Sequence, residues 1–303
     1  MVQTKKVNNH LQLIIPDDWD GLTIEQLLKE VWQLPKKRIH QLRMDKAIGM
    51  NERIVPFSEV IHSGDCMLIE NIFNEHHANF SRTKKDIQFL YEDDFLLIAN
   101  KPAGILTHPN TRDETNTLTN GIVSYLQEKN ERGKVQHVHR LDKDTSGAIL
   151  FAKSSFVGSI LDRMLEERRI KRTYTAVVHG KFEKMRGTIQ APIGRNRHHP
   201  TRRRVSKNGQ DAITHYQVIS FDARNNQSQI LCRLDTGRTH QIRVHLSHIG
   251  HPLLGDVLYG GQPVFYRQAL HAKYLSFTHP LTLEKVQVEA SYLDDFPDLL
   301  GEK

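Results

Sequence analysis

"HVHRLDKDTSGAILFAKS", residues 137–154, decides how this chain is read. Two histidines, an arginine and two carboxylates crowd into its first eight residues, ahead of an apolar run with the look of a buried strand. A zinc site would draw on His137 and His139, with His240 and His245 arriving from a distant segment. Zinc needs three or four convergent ligands, and histidines two apart converge only on an extended chain. With 18 histidines in the chain such spacing arises by chance, and solvent-facing or hydrogen-bonded rings are the simpler account. A phosphotransfer aspartate of the haloacid-dehalogenase kind needs D-x-D-x-T after a hydrophobic strand; here Thr145 directly follows Asp144, and "QHVHR" before them is polar. Paired glycosidase carboxylates must stand about 5 Å or more apart across the scissile bond, which two in one short loop rarely do. A lone nucleophile needs one ionised carboxylate, a cation to hold it and an enclosed pocket, and Asp142 with Arg140 supplies the first two. Asp144, Thr145 and Ser146 are then a turn that hydrogen-bonds its own backbone ahead of the strand "AILFAK".

The surroundings of that stretch predict one large unit over residues 86–303. "IQFLYEDDFLLIANKPAG", residues 87–104, reads as two strands joined at an acidic turn, the second stopped by Pro102 and Gly104. From Ser154 onward Val157, Ile160, Leu161, Met164 and Leu165 fall at helical spacing, with Ser154 or Ser155 near the cap. "KRTYTAVVHG", "AITHYQVISF" and "SQILCRLD" are strand-like, so many strands combine with few helices in no regular βαβ order. The expected fold class is α+β, built on a largely antiparallel mixed sheet. Residues 195–207, "RNRHHPTRRRVSK", hold six Arg or Lys, two histidines and no acid. This basic loop offers phosphate contacts through Arg195, Arg197, Arg202, Arg203 and Arg204.

A smaller unit precedes it over residues 1–72. "LTIEQLLKEVW", residues 22–32, places Ile24, Leu27, Leu28 and Val31 on one helical face, with Thr23 and Gln26 at the positions of a capping box. "LPKKRIHQLRMDK", residues 34–46, predicts a second helix with Pro35 in its first turn and Ile39 and Leu42 as a narrow apolar stripe. All its charges except Asp45 are positive, which marks Lys36, Lys37 and Arg38 as candidate nucleic-acid contacts. Strand-like pieces close the unit at "CMLIEN". Residues 73–85, "FNEHHANFSRTKK", carry no sustained period and end in a basic cluster, as a linker would.

Across 303 residues a hydrophobic share of 38% fills a proper core and excludes disorder of the whole chain. Lys and Arg exceed Asp and Glu by 42 to 35, a formal charge of +7 that suits a polyanionic partner. Cys66 and Cys232, the two cysteines, lack metal-ligand spacing and sit in strand-like apolar stretches as reduced thiols would in a cytoplasm. The N-terminal segment has no apolar core of signal-peptide length, and no stretch approaches the ~18 apolar residues of a membrane span. The expectation is a soluble cytoplasmic protein with no membrane partner.

Taken together, these segments resemble the RluA-type pseudouridine synthases, which isomerise uridine to pseudouridine in ribosomal or transfer RNA. "HRLDKDTSG" resembles the family's signature around the catalytic aspartate, which falls on Asp142. "YEDDFLLIANKPAGILTHP" is similar to its first block, and "KRTYTAVVHG" to the strand of its active-site tyrosine, which falls on Tyr174. "LDTGRTHQIRVHLSHIGHPLLGDVLYG" resembles the third block, whose basic residue falls on Arg243, and "LHAKYLSFTHP" the closing one. The likeness covers roughly residues 86–290, with five blocks in the family's order. The N-terminal unit resembles, less closely, the small RNA-binding domain first described in a ribosomal small-subunit protein.

The resemblance implies a pseudouridine synthase catalytic domain acting on RNA, catalytic roles for Asp142, Tyr174 and Arg243, and RNA contacts by Arg140, Arg238 and His240. The reaction exchanges a ribose–nitrogen bond for a ribose–carbon bond without oxidation, so it calls for no cofactor and no metal. An aspartate serves it by attacking the ribose or the uracil ring, or by taking a ribose proton. Its free pKa of about 3.9 already keeps it ionised, so Arg243 would act by orienting it and balancing its charge. Tyr174 offers a face for stacking and a hydroxyl for proton transfer. The uridine must leave its stack to be reached, and Arg140 could fill the space it vacates. Monomeric action without an obligatory protein partner is expected. A non-catalytic RNA-binding or ribosome-assembly factor on the same fold is the competing reading, and a metal-dependent nuclease, sensitive to chelators, a third.

Overall fold

Among the described residues strand alternation builds two large sheets and a two-stranded ribbon, and the register of the largest determines where a site can form. The computed structural model describes residues 2–74, 86–111, 113–131, 133–294, 296–297 and 299. Near the N-terminus five antiparallel strands lie in the order Thr4–Val7, His10–Ile14, Cys66–Ile69, Ile48–Met50, Arg53–Ile54. Asn51 and Glu52 turn the last hairpin with φ of 47° and 65°, the left-handed pair that matches strand twist.

The helix expected over 22–32 keeps its capping box: Gln26 N–H donates to Thr23 Oγ1 at 3.2 Å and Thr23 N–H to Gln26 Oε1 at 2.8 Å. It is α-helical only over Ile24–Gln26, then widens to a π-helix over Leu27–Val31, closed by Trp32 N–H donating to Leu27 O at 2.9 Å. With the extra residue in the turn, Leu27, Leu28 and the Trp32 indole are all buried. The second helix, Lys36–Met44, buries Ile39 and Leu42 and leaves Lys36 and Lys37 exposed. Arg38 turns away from that basic face and donates to Ser155 Oγ at the start of a helix in the larger unit. Phe73, first residue of the expected linker, is fully buried and lies 6.3 Å from the Phe95 ring. Residues 75–85 of that stretch lie outside the described residues.

Among the described residues the larger sheet has ten strands. Along its main path they run Arg186–Gln190, Ile213–Asp222, Gln227–Leu234, Lys171–His179, Leu270–Thr278, Ser146–Ala152, Leu96–Lys101, Gln88–Glu92. Pairing is antiparallel except between Leu270–Thr278 and Ser146–Ala152. Both Leu96–Lys101 and Ser146–Ala152 are buried along their whole length, which is why they read as continuous apolar runs. One face is covered by the helix Ser155–Glu166, capped by Ser154 Oγ accepting from Val157 N–H, and by the N-terminal unit. The other is covered by a helix that the sequence reading missed, Leu118–Glu128, through Leu118, Ile122 and Leu126.

Register sets one row across the sheet: Gly147 opposite Ala272, Ala272 opposite Tyr174, Tyr174 opposite Cys232. The row needs a glycine, because a β-carbon at Gly147, where φ is +112°, would fall 2.3 Å from Ala272 O. The expected basic loop at 195–207 holds at 196–202, but its flanks pair as a two-stranded ribbon, Ile193–Arg195 against Arg203–Val205. Arg203 N–H ties it to the Tyr259 hydroxyl at 2.8 Å.

Candidate active site

Asp142 lies in the connection that enters Ser146–Ala152, at the edge of the Gly147–Ala272–Tyr174 row. One local hydrogen bond shapes the turn, Thr145 N–H to Asp142 O at 3.1 Å. The remaining support comes from afar, contrary to the expectation of a self-bonded turn. Gln268 Nε2 donates to Thr145 Oγ1, Arg267 Nη2 donates to Ser146 Oγ, and His271 Nδ1 meets the same hydroxyl at 2.9 Å. From the other side, "KPAGILT" clamps the loop. Lys101, fully buried, donates to the carbonyls of Pro102, Ile105 and Lys143 at 2.9–3.0 Å, and the Thr107 hydroxyl donates to Leu141 O at 3.0 Å. A short polar loop held this way keeps its geometry without packing of its own.

Arg243 reaches the same point from the buried side of the helix Gln241–His248. Its Nη1 donates to Asp142 Oδ2 at 3.0 Å, while Nε and Nη2 donate to the two oxygens of Asp256 at 2.7 and 2.9 Å. Asp256 is 2% exposed and was not foreseen; the only sign of it was its place in "GDVLYG". The bidentate bond fixes the guanidinium plane. Burial works against the Arg243 charge, but its bonds to Asp256 and Asp142 outweigh that and hold its pKa above the ordinary value. The Tyr259 ring packs 5.0 Å beneath the guanidinium. Asp142 Oδ1 accepts no hydrogen bond among the described residues, so one carboxylate oxygen is steered and the other is left for chemistry.

His240 caps the same helix in a left-handed conformation, φ +58°, a strain that is kept where a side chain must be aimed. Its Nδ1 meets the Tyr259 hydroxyl at 2.9 Å and its Nε2 stands 3.8 Å from Asp142 Oδ2. Burial lowers its pKa, with Asp142 pulling the other way. Tyr174 lines the same cleft but is only 4% exposed; burial raises its phenol pKa, so it stays protonated near neutrality. The cleft measures about 880 Å³ and brings Asp142, Tyr174, Arg243, His240, Arg238 and Arg140 together along its wall. Arg140 is exposed and has no hydrogen-bond or ion-pair partner among the described residues, whereas Arg238 spends its Nε on Asp211 O at 3.0 Å.

The remaining basic candidates lie on the ribbon and on the N-terminal helix Lys36–Met44, not in the cleft wall. Arg202 packs over Tyr259 at 5.6 Å, while Arg195, Arg197 and Arg204 are exposed. The histidines that suggested zinc are otherwise engaged. His137 stacks on His108 at 4.3 Å and burial pushes its pKa down to about 4. His139 is buried, and His245 bonds Thr214 Oγ1 and Ala191 O, both at 2.9 Å. Among the described residues no three His, Cys, Asp or Glu side chains are grouped to hold a metal ion. Burial pushes the Cys232 thiol up to about 12, and Cys66 accepts from Gln12 Nε2.

Residues 95–248, the span that supplies Asp142, Tyr174 and Arg243, match the RNA pseudouridylate synthase family. The chain belongs to that family. Residues 11–67 match a second description, the RluD ribosomal pseudouridine synthase N-terminal domain. The RNA pseudouridine synthase YhcT of Bacillus subtilis is 43% identical over 95% of this chain and 96% of its own length. Ribosomal large subunit pseudouridine synthase D of Nitrosomonas europaea is 36% identical over 96% of this chain and 87% of its own. Among solved structures, human RNA pseudouridylate synthase domain containing 1 superposes with a TM-score of 0.57 at 28% identity, over 70% of this chain and 86% of that one. Pseudouridine synthases are isomerases that act on RNA, and this chain is one of them. No helix among the described residues is long and apolar enough to cross a membrane.

Proposed function

We propose that this pseudouridine synthase converts specific uridines of structured RNA, taken first as large-subunit ribosomal RNA, with Asp142 as its nucleophile and without a cofactor. The observation that carries the reading is the Asp142–Arg243–Asp256 chain, in which one Asp142 oxygen is held at 3.0 Å and the other accepts no hydrogen bond among the described residues. In the reaction the bond from ribose C1′ to uracil N1 breaks, the ring turns, and C1′ bonds to C5; the C5 proton leaves and N1 gains one. Asp142 supplies the electron pair that opens this sequence, and Arg243 balances its charge as water is excluded. Tyr174, protonated and nearly closed off on the cleft wall, is suited to stack on the base and to pass a proton through its hydroxyl. Arg140, exposed at the rim, is suited to occupy the space that the extruded uridine leaves. The chain acts as a monomer in this reading, with the ribbon and the exposed Lys36 and Lys37 adding phosphate contacts.

Release of tritium from RNA labelled at uridine C5 tests this directly. Wild-type protein should release it, and Asp142→Asn should lose about 10⁴-fold in rate, as removal of a nucleophile does, while still binding RNA. RNA binding without release by wild type, from any cellular RNA, would instead mark a ribosome-assembly factor. For Arg140→Ala, turnover should fall on folded RNA and hold on an unstructured oligomer.

A further inference from the structure

Five Lys or Arg side chains are buried among the described residues, and four of them are matched. Arg243 has Asp142 and Asp256, Arg267 has Asp294, Lys153 has Glu92 and Glu131, and Lys101 has three carbonyls. Arg172 is the exception. It is 8% exposed, meets no carboxylate and makes no hydrogen bond among the described residues, and its Nε is sealed without an acceptor. A buried guanidinium in that state is strongly unfavourable unless an anion completes it.

Its position says which anion. Arg172 stands two residues before Tyr174 on Lys171–His179, so both side chains leave the same face, and both line the cleft. The loop 235–240 closes over the guanidinium: a β-carbon at Gly237 would lie 3.3 Å from Nη1. Asp235, the carboxylate of that loop, is taken by Arg168 and His215, each at 3.2 Å. His139 beside it is kept neutral by burial and by Arg172 itself. Among the described residues Arg172 is therefore the buried cation of the cleft wall that no carboxylate balances, about 7 Å along the strand from Tyr174, the reach of one nucleotide of extended backbone.

We propose that Arg172 binds a backbone phosphate of the RNA, next to the nucleotide that Asp142 and Tyr174 engage. The inference rests on the RNA reading above and deepens it. Its test uses the full chain and fluorescein-labelled tetrauridylate, with and without uncharged methylphosphonate linkages. In Arg172→Gln, affinity should fall about tenfold and the slope of log K against log salt should shrink by about 0.7, one phosphate contact on a single strand. One methylphosphonate linkage should reproduce the loss in wild type and add nothing in Arg172→Gln, while Arg172→Lys should restore the slope. Arg172→Met should melt higher than wild type by about 2–4 °C, since it removes an uncompensated charge. Equal weakening of charged and neutral oligomers, with a lower melting point, would assign Arg172 to the fold and overturn the inference. Tritium release by wild type, run in parallel, separates the two readings. Release without phosphate-specific loss in Arg172→Gln removes the Arg172 inference alone; no release and no tetrauridylate binding by wild type removes both.

Discussion

Two of the three hydrogen bonds that Arg243 donates through its guanidinium go to Asp256, and one goes to Asp142. Asp256 thus does the anchoring and Asp142 is held by a cation that cannot rotate. Asp256→Asn should cost about 3 kcal/mol in urea denaturation, since a buried charge loses its partner, and should slow tritium release about 10²-fold through misplacement of Asp142. A variant as stable as wild type would sink that account. Asp142 was legible because its neighbours in "HRLDKDTSG" are unusual within a few residues. Asp256 was not, because its partner lies a helix away and nothing local marks a carboxylate as bidentate. Arg172 was equally silent: a basic residue in "KRTYTAVVHG" reads as an exposed edge until burial shows otherwise.

The ribbon Ile193–Arg195 with Arg203–Val205 shows how composition misleads about an element. Arginine and histidine runs carry no periodicity, so residues 195–207 read as a loop, yet the backbone pairs Arg195 with Arg203 and anchors on Tyr259. Pairing fixes the exposed Arg195 and Arg204 on the ribbon, and the exposed Arg197 lies in the loop 196–202 that joins its strands. Replacing these three by glutamine should flatten the salt dependence of RNA binding by about 2 in slope and raise KM more than it lowers kcat; an unchanged slope would remove the ribbon from the RNA path. Helix starts, in contrast, were readable at Thr23 and Ser154, because a cap is a contact between neighbours three residues apart. The π-helical turn at Leu27–Val31 and the helix Leu118–Glu128 were not, since buried Thr119 and Asn120 break the apolar stripe that pattern reading needs.

Both units contribute to one apolar cluster. Trp32 packs edge-on against Trp19 at 5.7 Å and against Phe156 of the larger unit at 5.6 Å. Trp32→Ala should cost about 3–5 kcal/mol, seen as an earlier urea transition; a loss under 1 kcal/mol would mean that the cluster does not join the units. Acid should also weaken the whole fold. Burial holds His271 at about 4 against an ordinary 6.5, and shifts His137 and His139 the same way. The unfolded chain binds protons that the folded chain refuses, so stability is complete above pH 6.5 and drains away towards pH 4, by roughly 3 kcal/mol for His271. Urea midpoints compared at pH 7 and 4.5 check this, and equal midpoints would contradict it. Residue order alone was enough for the caps at Thr23 and Ser154, most strands and the α+β class, because those depend on interactions across a few residues. Folding alone brought Asp142, Tyr174 and Arg243 to one cleft. Ser146–Ala152 lies parallel to Leu270–Thr278, which in turn pairs with Lys171–His179, an order far from that of the chain. Strand neighbours so distant are selected by buried apolar area and by backbone hydrogen bonds that must all be satisfied at once, and no short stretch encodes that balance.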